Sequence, residues 1–155
     1  MLVQKDPAHP EPLRPLDCAD AVLEVMPAVM DALRAAMRQQ VGDPLSVPQF
    51  RCLSFIARHP GSSVSAVAAF LGVTLPTASA MVDRLAKAGA VAPSVAAAER
   101  RRTELQATES GLAQVRQIQG GARDEFARAL ATRSPQELQQ LHAGLGVLRR
   151  AFPPA

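Results

Sequence analysis

Between residues 17 and 41, apolar side chains recur every three or four positions as Val22, Met26, Val29, Leu33, Met37 and Val41. That spacing marks one face of a long helix. Pro27 interrupts it and predicts either a kink or a helix that properly begins near that point. Ser46-Val47-Pro48-Gln49 reads as a second helix start, with a capping Ser, Pro in the first turn and Gln at the capping-box position. Phe50, Leu53, Ile56 and Ala57 are its expected buried face, and His59-Pro60-Gly61 stops it. Ser63 caps a short helix with Val67, Ala68 and Leu71 inside, ended by Gly72. Thr74 then caps another, with Pro76 in its first turn and Ala78, Met81, Val82 and Leu85 as the buried stripe until Gly89.

The helical period is lost over residues 90–107. Pro93 is unsuited to a helix interior, and Thr103, Leu105 and Ala107 alternate. This predicts a short β-hairpin with its tip among Ala96 to Arg101. Past Gly111 the helical period returns with Leu112, Val115, Ile118 or Gln119, Ala122, Phe126 and Leu130, weakened at Gly120-Gly121 by about 1 kcal/mol per Gly relative to Ala. Ser134-Pro135-Gln136-Glu137 is a further capped start. Leu138, Leu141, Leu145, Leu148 and Phe152 follow as a stripe, and Pro153-Pro154 ends it. Residues 1–16, with Pro7, Pro10, Pro12 and Pro15, read as a flexible leader. The expected fold class is mainly α with one short hairpin.

Composition narrows the function. A chain of 155 residues with 48% apolar positions builds one domain with a real core. Its 29 alanines and lack of Trp and Tyr favour helices. No apolar run is long enough to span a membrane, and two cysteines make no disulfide framework, so a soluble cytoplasmic protein is expected. There is no glycine-rich phosphate loop and no nucleophile elbow, which argues against an enzyme and leaves no catalytic residue to name. His9, His59 and His142 show no metal-ligand spacing, so neither metal nor other cofactor is expected. Charge is uneven: residues 1–45 hold four basic residues against seven acids, whereas 46–110 hold seven against four. Arg100-Arg101-Arg102 lies in that basic middle, and guanidinium groups match phosphate oxygens.

Residues 46–111 thus read helix, short helix, tight turn, helix, hairpin. Two helices joined by a short Gly-containing turn form a helix-turn-helix, whose second helix enters the DNA major groove. Ala68 is small where the helices cross, Gly72 permits the sharp exit and Val73 plugs the gap. Thr74 caps the second helix, whose outward side is Leu75, Pro76, Thr77, Ser79, Ala80, Asp83, Arg84 and Lys87. Thr74, Pro76, Thr77, Ser79 and Arg84 are the candidate contacts on this helix to phosphates and base edges. A hairpin directly after it makes a winged helix. The tip, Glu99-Arg100-Arg101-Arg102, suits the negative potential of a minor groove. Plain helix pairing with a solvated Arg cluster is the alternative reading of the same residues.

In order and spacing, Val47-Pro48-Gln49-Phe50, His59-Pro60-Gly61, Leu71-Gly72-Val73-Thr74, Pro76-Thr77-Ala78-Ser79, Val82-Asp83-Arg84-Leu85, Glu99-Arg100-Arg101 and Thr108-Glu109-Ser110-Gly111 resemble the MarR family of bacterial transcriptional regulators. The resemblance runs from about Asp17 to Phe152. It implies a single domain over 17–155, with dimerisation helices in 17–45 and 111–155 and a winged helix-turn-helix in 46–110. It further implies a homodimer that binds a pseudo-palindromic operator in double-stranded DNA, usually as a repressor, and is released by a small hydrophobic or phenolic effector. No membrane partner is implied. Arg84 matches one of two arginines frequent on the family's reading helix, and Ala80 stands where the other is usual. Glu99 replaces the Asp that braces the wing arginine, here Arg101, and Ala92-Pro93-Ser94 replaces a basic strand. These departures keep open a winged-helix protein-interaction module with weakened or lost DNA binding. Some members sense peroxide through a cysteine near the first helix start, where Cys18 lies, so a thiol-based regulator is a further alternative. Asp17 and Asp20 beside it disfavour the thiolate. Cys52 reads as a small packed residue.

Overall fold

The computed structural model describes residues 13–39, 44–93 and 104–152. Along the chain these form α1 (Pro15–Arg38), α2 (Val47–Arg58), α3 (Val64–Leu71), α4 (Leu75–Lys87), β1 (Val91–Pro93), β2 (Leu105–Ala107), α5 (Glu109–Leu130) and α6 (Pro135–Ala151). The mainly helical class with one hairpin is therefore correct.

The chain divides into two units, residues 1–31 and 32–155. The described part of the first is the opening of α1. That helix starts at Pro15, two residues inside the expected leader, and runs on through Pro27 without restarting there. Its start signal is one the apolar pattern does not reveal. The Arg14 backbone N–H donates to the Asp17 carboxylate at 2.9 Å, and the Arg14 guanidinium pairs with the same group. Pro15 then takes the first helical position, where its missing N–H costs nothing. The guanidinium beside Asp17 holds that carboxyl below its ordinary range.

The second unit has one apolar core. Leu53, Ile56, Val67, Leu85 and Cys52 are fully enclosed, with Ala78, Val82, Leu105 and Val115 around them. Ser46 caps α2 with both halves of the capping box in place, its hydroxyl accepting from the Gln49 N–H and Gln49 Oε1 accepting from the Ser46 N–H. Phe50 and Ala57 are half-buried, and Cys52 and Phe55 complete the inner face instead. Gly72 has φ +69°, a left-handed conformation that side chains with a Cβ disfavour. It lets the Val73 N–H reach back to the Ala68 carbonyl at 3.1 Å and its own N–H to Ala69, which ends α3 and seats Val73 on the core.

β1 and β2 pair antiparallel, Val91 with Ala107 and Pro93 with Leu105. Ser62 adds a third, single-residue rung: the Leu105 N–H donates to the Ser62 carbonyl and the Gly61 N–H to the Leu105 carbonyl, each at 2.8 Å. No periodicity could announce a one-residue strand. The expected hairpin tip, with Glu99, Arg100, Arg101 and Arg102, lies outside the described residues.

α5 begins at Glu109, earlier than the position past Gly111 read from its apolar period. Thr108 is the cap: its hydroxyl accepts from the Gly111 N–H and donates to the Gly89 carbonyl at 2.6 Å, while its N–H donates to the Ala90 carbonyl at 3.0 Å. Gly111 is not a boundary but a point of close approach. A Cβ there would stand 3.0 Å from the Ala90 carbonyl carbon and closer still to its oxygen. Gly111→Ala should therefore destabilise by about 1–3 kcal/mol despite Ala's better helix propensity, lowering the melting temperature by roughly 3–10 °C. Gly120→Ala in the same helix, where a Cβ meets nothing within 4 Å, should raise it. A shared sign in thermal melts of the two variants would overturn this account of Gly111.

α6 has its capping box, Ser134 with Glu137, and the Ser134 N–H and hydroxyl hold the Glu137 carboxyl below its ordinary range. None of its residues is buried. Among the described residues no single helix is long and apolar enough to cross a membrane.

Candidate nucleic-acid interface

α4 presents two unlike faces because its sequence does. Ala78, Val82 and Leu85, at helical spacing, are buried, with Met81 half-buried against the core. Opposite them Pro76, Thr77, Ala80, Asp83, Arg84 and Lys87 are exposed. Thr74 is the cap, its hydroxyl accepting from the Thr77 N–H at 3.4 Å and sharing a hydrogen bond of 2.9 Å with the Thr77 hydroxyl. Arg84 and Lys87 fall in the last turn, where positive charge also suits the helix dipole.

The structure thus puts Thr74, Pro76, Thr77 and Arg84 together on or beside one solvent-facing surface. Ser79 differs from expectation: it is half-buried at the margin of the packed stripe, because a helix turn of 3.6 residues swings it back toward Val82. The wing residues Glu99, Arg100, Arg101 and Arg102 lie outside the described residues. The base of that wing is nevertheless fixed to the end of α4 through Thr108, and to the α2–α3 turn through Ser62. Neither anchor is legible in the apolar pattern, although a Thr three residues past the last alternating Leu and just before an acid is a cap signal.

The arrangement of a capped helix with one open face, a three-residue turn before it and an antiparallel hairpin after it is that of a winged helix-turn-helix. The MarR-family sequence profile matches residues 43–102. The chain is 32% identical over 108 residues to YfiV of Bacillus subtilis, an uncharacterized HTH-type transcriptional regulator, covering 70% of this chain and 68% of that protein. The chain belongs to the MarR family. This MarR-family chain is a DNA-binding transcriptional regulator. Among solved structures it is similar to RV1404 from Mycobacterium tuberculosis, at 26% identity and a TM-score of 0.82 over 93% of this chain and 98% of that one. It also shares its fold with Streptococcus pneumoniae FabT, solved in complex with DNA, at 18% identity and a TM-score of 0.70 over 88% and 96% of the two chains.

This MarR-family chain also carries a cleft of about 570 Å³ away from α4. Leu33, Phe50, Ala122, Phe126, Ala127 and Leu130 give it apolar walls, and Gln119 and Arg123 are its polar contributors.

The cysteines divide as their surroundings dictate. Cys18 is exposed in the first turn of α1, and Cys52 is enclosed in the core, where burial pushes its thiol up to about 11. A thiol raised above its ordinary value of 9.0 stabilises the fold fully below pH 9, a contribution lost as pH rises through about 11. At pH 8, iodoacetamide should modify Cys18 and spare Cys52 until denaturant is added, as mass spectrometry would show. Modification of both thiols in the native chain would contradict the enclosure of Cys52.

Proposed function

We propose that the chain is a homodimeric, ligand-responsive repressor that binds a pseudo-palindromic operator, acts in the cytoplasm and catalyses no reaction. One observation carries the reading: no residue of α6 is buried within its own chain, and Leu138, Leu141 and Leu145, with Phe152 at its cap, stand in the open. An interface on those residues places two copies of α4 about one DNA turn apart, roughly 34 Å. Thr74, Pro76, Thr77, Ser79 and Arg84 then meet the major groove, with Ser79 working from the margin of the face. Arg101, braced by Glu99 and flanked by Arg100 and Arg102, enters the minor groove. The apolar cleft takes a small hydrophobic or phenolic effector.

The test is retardation of the DNA flanking the chain's own gene by the full chain at moderate salt. Competition by the same duplex and not by random sequence supports the operator reading, and release by small phenols supports the effector. If no duplex is retarded, the operator reading fails and a protein-interaction role takes its place.

A further inference from the structure

Among the described residues, the exposed large apolar side chains fall into two groups. Most lie on α1, just before it, or on α6 and its cap. The exception is Leu75, the first residue of α4, which is 54% exposed. It does not belong to the terminal helices that the dimer would cover, and it stands where the reading helix enters DNA.

Its neighbours give that end of the helix an unusual chemistry. A helix N-terminus ordinarily offers several N–H donors to an anion. Here Pro76 has none, and the Thr77 N–H is taken by the Thr74 hydroxyl. The two threonine hydroxyls are also bonded to each other at 2.9 Å. Part of the polar capacity is thus taken up within the cap, while Leu75, Pro76 and Ala80 stand exposed beside the two threonines. In the major groove the apolar feature of the base edges is the C5-methyl group of thymine. A guanine or cytosine edge against Leu75 would lose water without gaining a partner.

We infer that Leu75 is a specificity-determining residue that selects thymine through its C5-methyl group, with Pro76 and Ala80 extending the apolar contact. The inference rests on the operator reading above and deepens it: this helix recognises thymine methyls where an arginine would recognise guanine.

The experiment selects bound duplexes from a random pool with the full chain, then replaces each thymine of the selected site by uracil, which removes only the methyl group. At one thymine per half-site the change should weaken binding by the chain about three- to fivefold, the worth of one buried methyl. Leu75→Ala should bind the thymine duplex less tightly and be indifferent to uracil at that position, with its melting temperature unchanged because the side chain is exposed. Indifference of the unmodified chain to uracil at every position overturns the inference and leaves the operator reading standing. Equal uracil losses in the chain and in Leu75→Ala assign the methyl contact to another residue and also overturn it. If no duplex is selected, the operator reading itself falls.

Discussion

Leu145→Asp should convert the proposed dimer to a monomer or an aggregate and weaken operator binding by roughly 100-fold or more, since the two half-sites would then bind independently. Leu145 is 50% exposed in the single chain and sits at the centre of the α6 stripe, between Leu141 and Phe152. A lone helix of this length is marginal in water and draws its stability from packing. No residue of α6 is buried within its own chain, and in the proposed dimer a second copy would supply that packing. Across a two-fold axis every substitution occurs twice. Two carboxylates buried in an apolar contact, each costing several kcal/mol, exceed what the remaining leucines can offset. Sedimentation of the purified variant decides the matter. A clean dimer with unchanged DNA affinity would remove the α6 interface.

The second large effect separates the two faces of α4. Ala80→Glu places a negative charge on the open face and should abolish DNA binding through repulsion by phosphate, while the melting temperature moves by no more than about 2 °C. Leu85 is fully buried. Leu85→Glu should instead leave the chain unfolded at room temperature, because an unpaired buried charge consumes most of a typical stability of about 5–15 kcal/mol. Circular dichroism melts and fluorescence anisotropy with a labelled duplex read the two outcomes separately. If both variants lost binding and folding together, the division of α4 into an inner and an outer face would be wrong.

Much of this architecture was legible because it is built from repeated local signals. Ser46, Ser63, Thr74 and Ser134 each precede an apolar stripe by one turn, and all four cap the helices they announce. Gly72 ends α3 as its position suggested. What stayed hidden depends on contacts between distant segments. The α1 start is made by an Arg14–Asp17 pair that no hydrophobic period contains. The rung between Ser62 and Leu105 joins residues 43 positions apart and leaves no pattern in either. The pattern puts Ser79 among the outward residues of α4, whereas the folded helix holds it half-buried at the margin. Gly111 looked like a boundary because glycine often is one. Its reason is the Ala90 backbone, visible only once α5 and the hairpin are docked.

The clasp at Thr108 has a mechanical meaning. It joins the far end of α4 to the near end of α5 through hydrogen bonds of 2.6 and 3.0 Å. α5 runs from that clasp to the cleft residue Phe126, about 27 Å away at 1.5 Å per residue. Over such a lever a tilt of about 4° at the cleft moves the clasp by about 2 Å. That displacement is more than a hydrogen bond tolerates before it breaks. Thr108 therefore ties the end of α4 and the base of the hairpin to the start of α5, so that a change in the axis of α5 would be felt at α4.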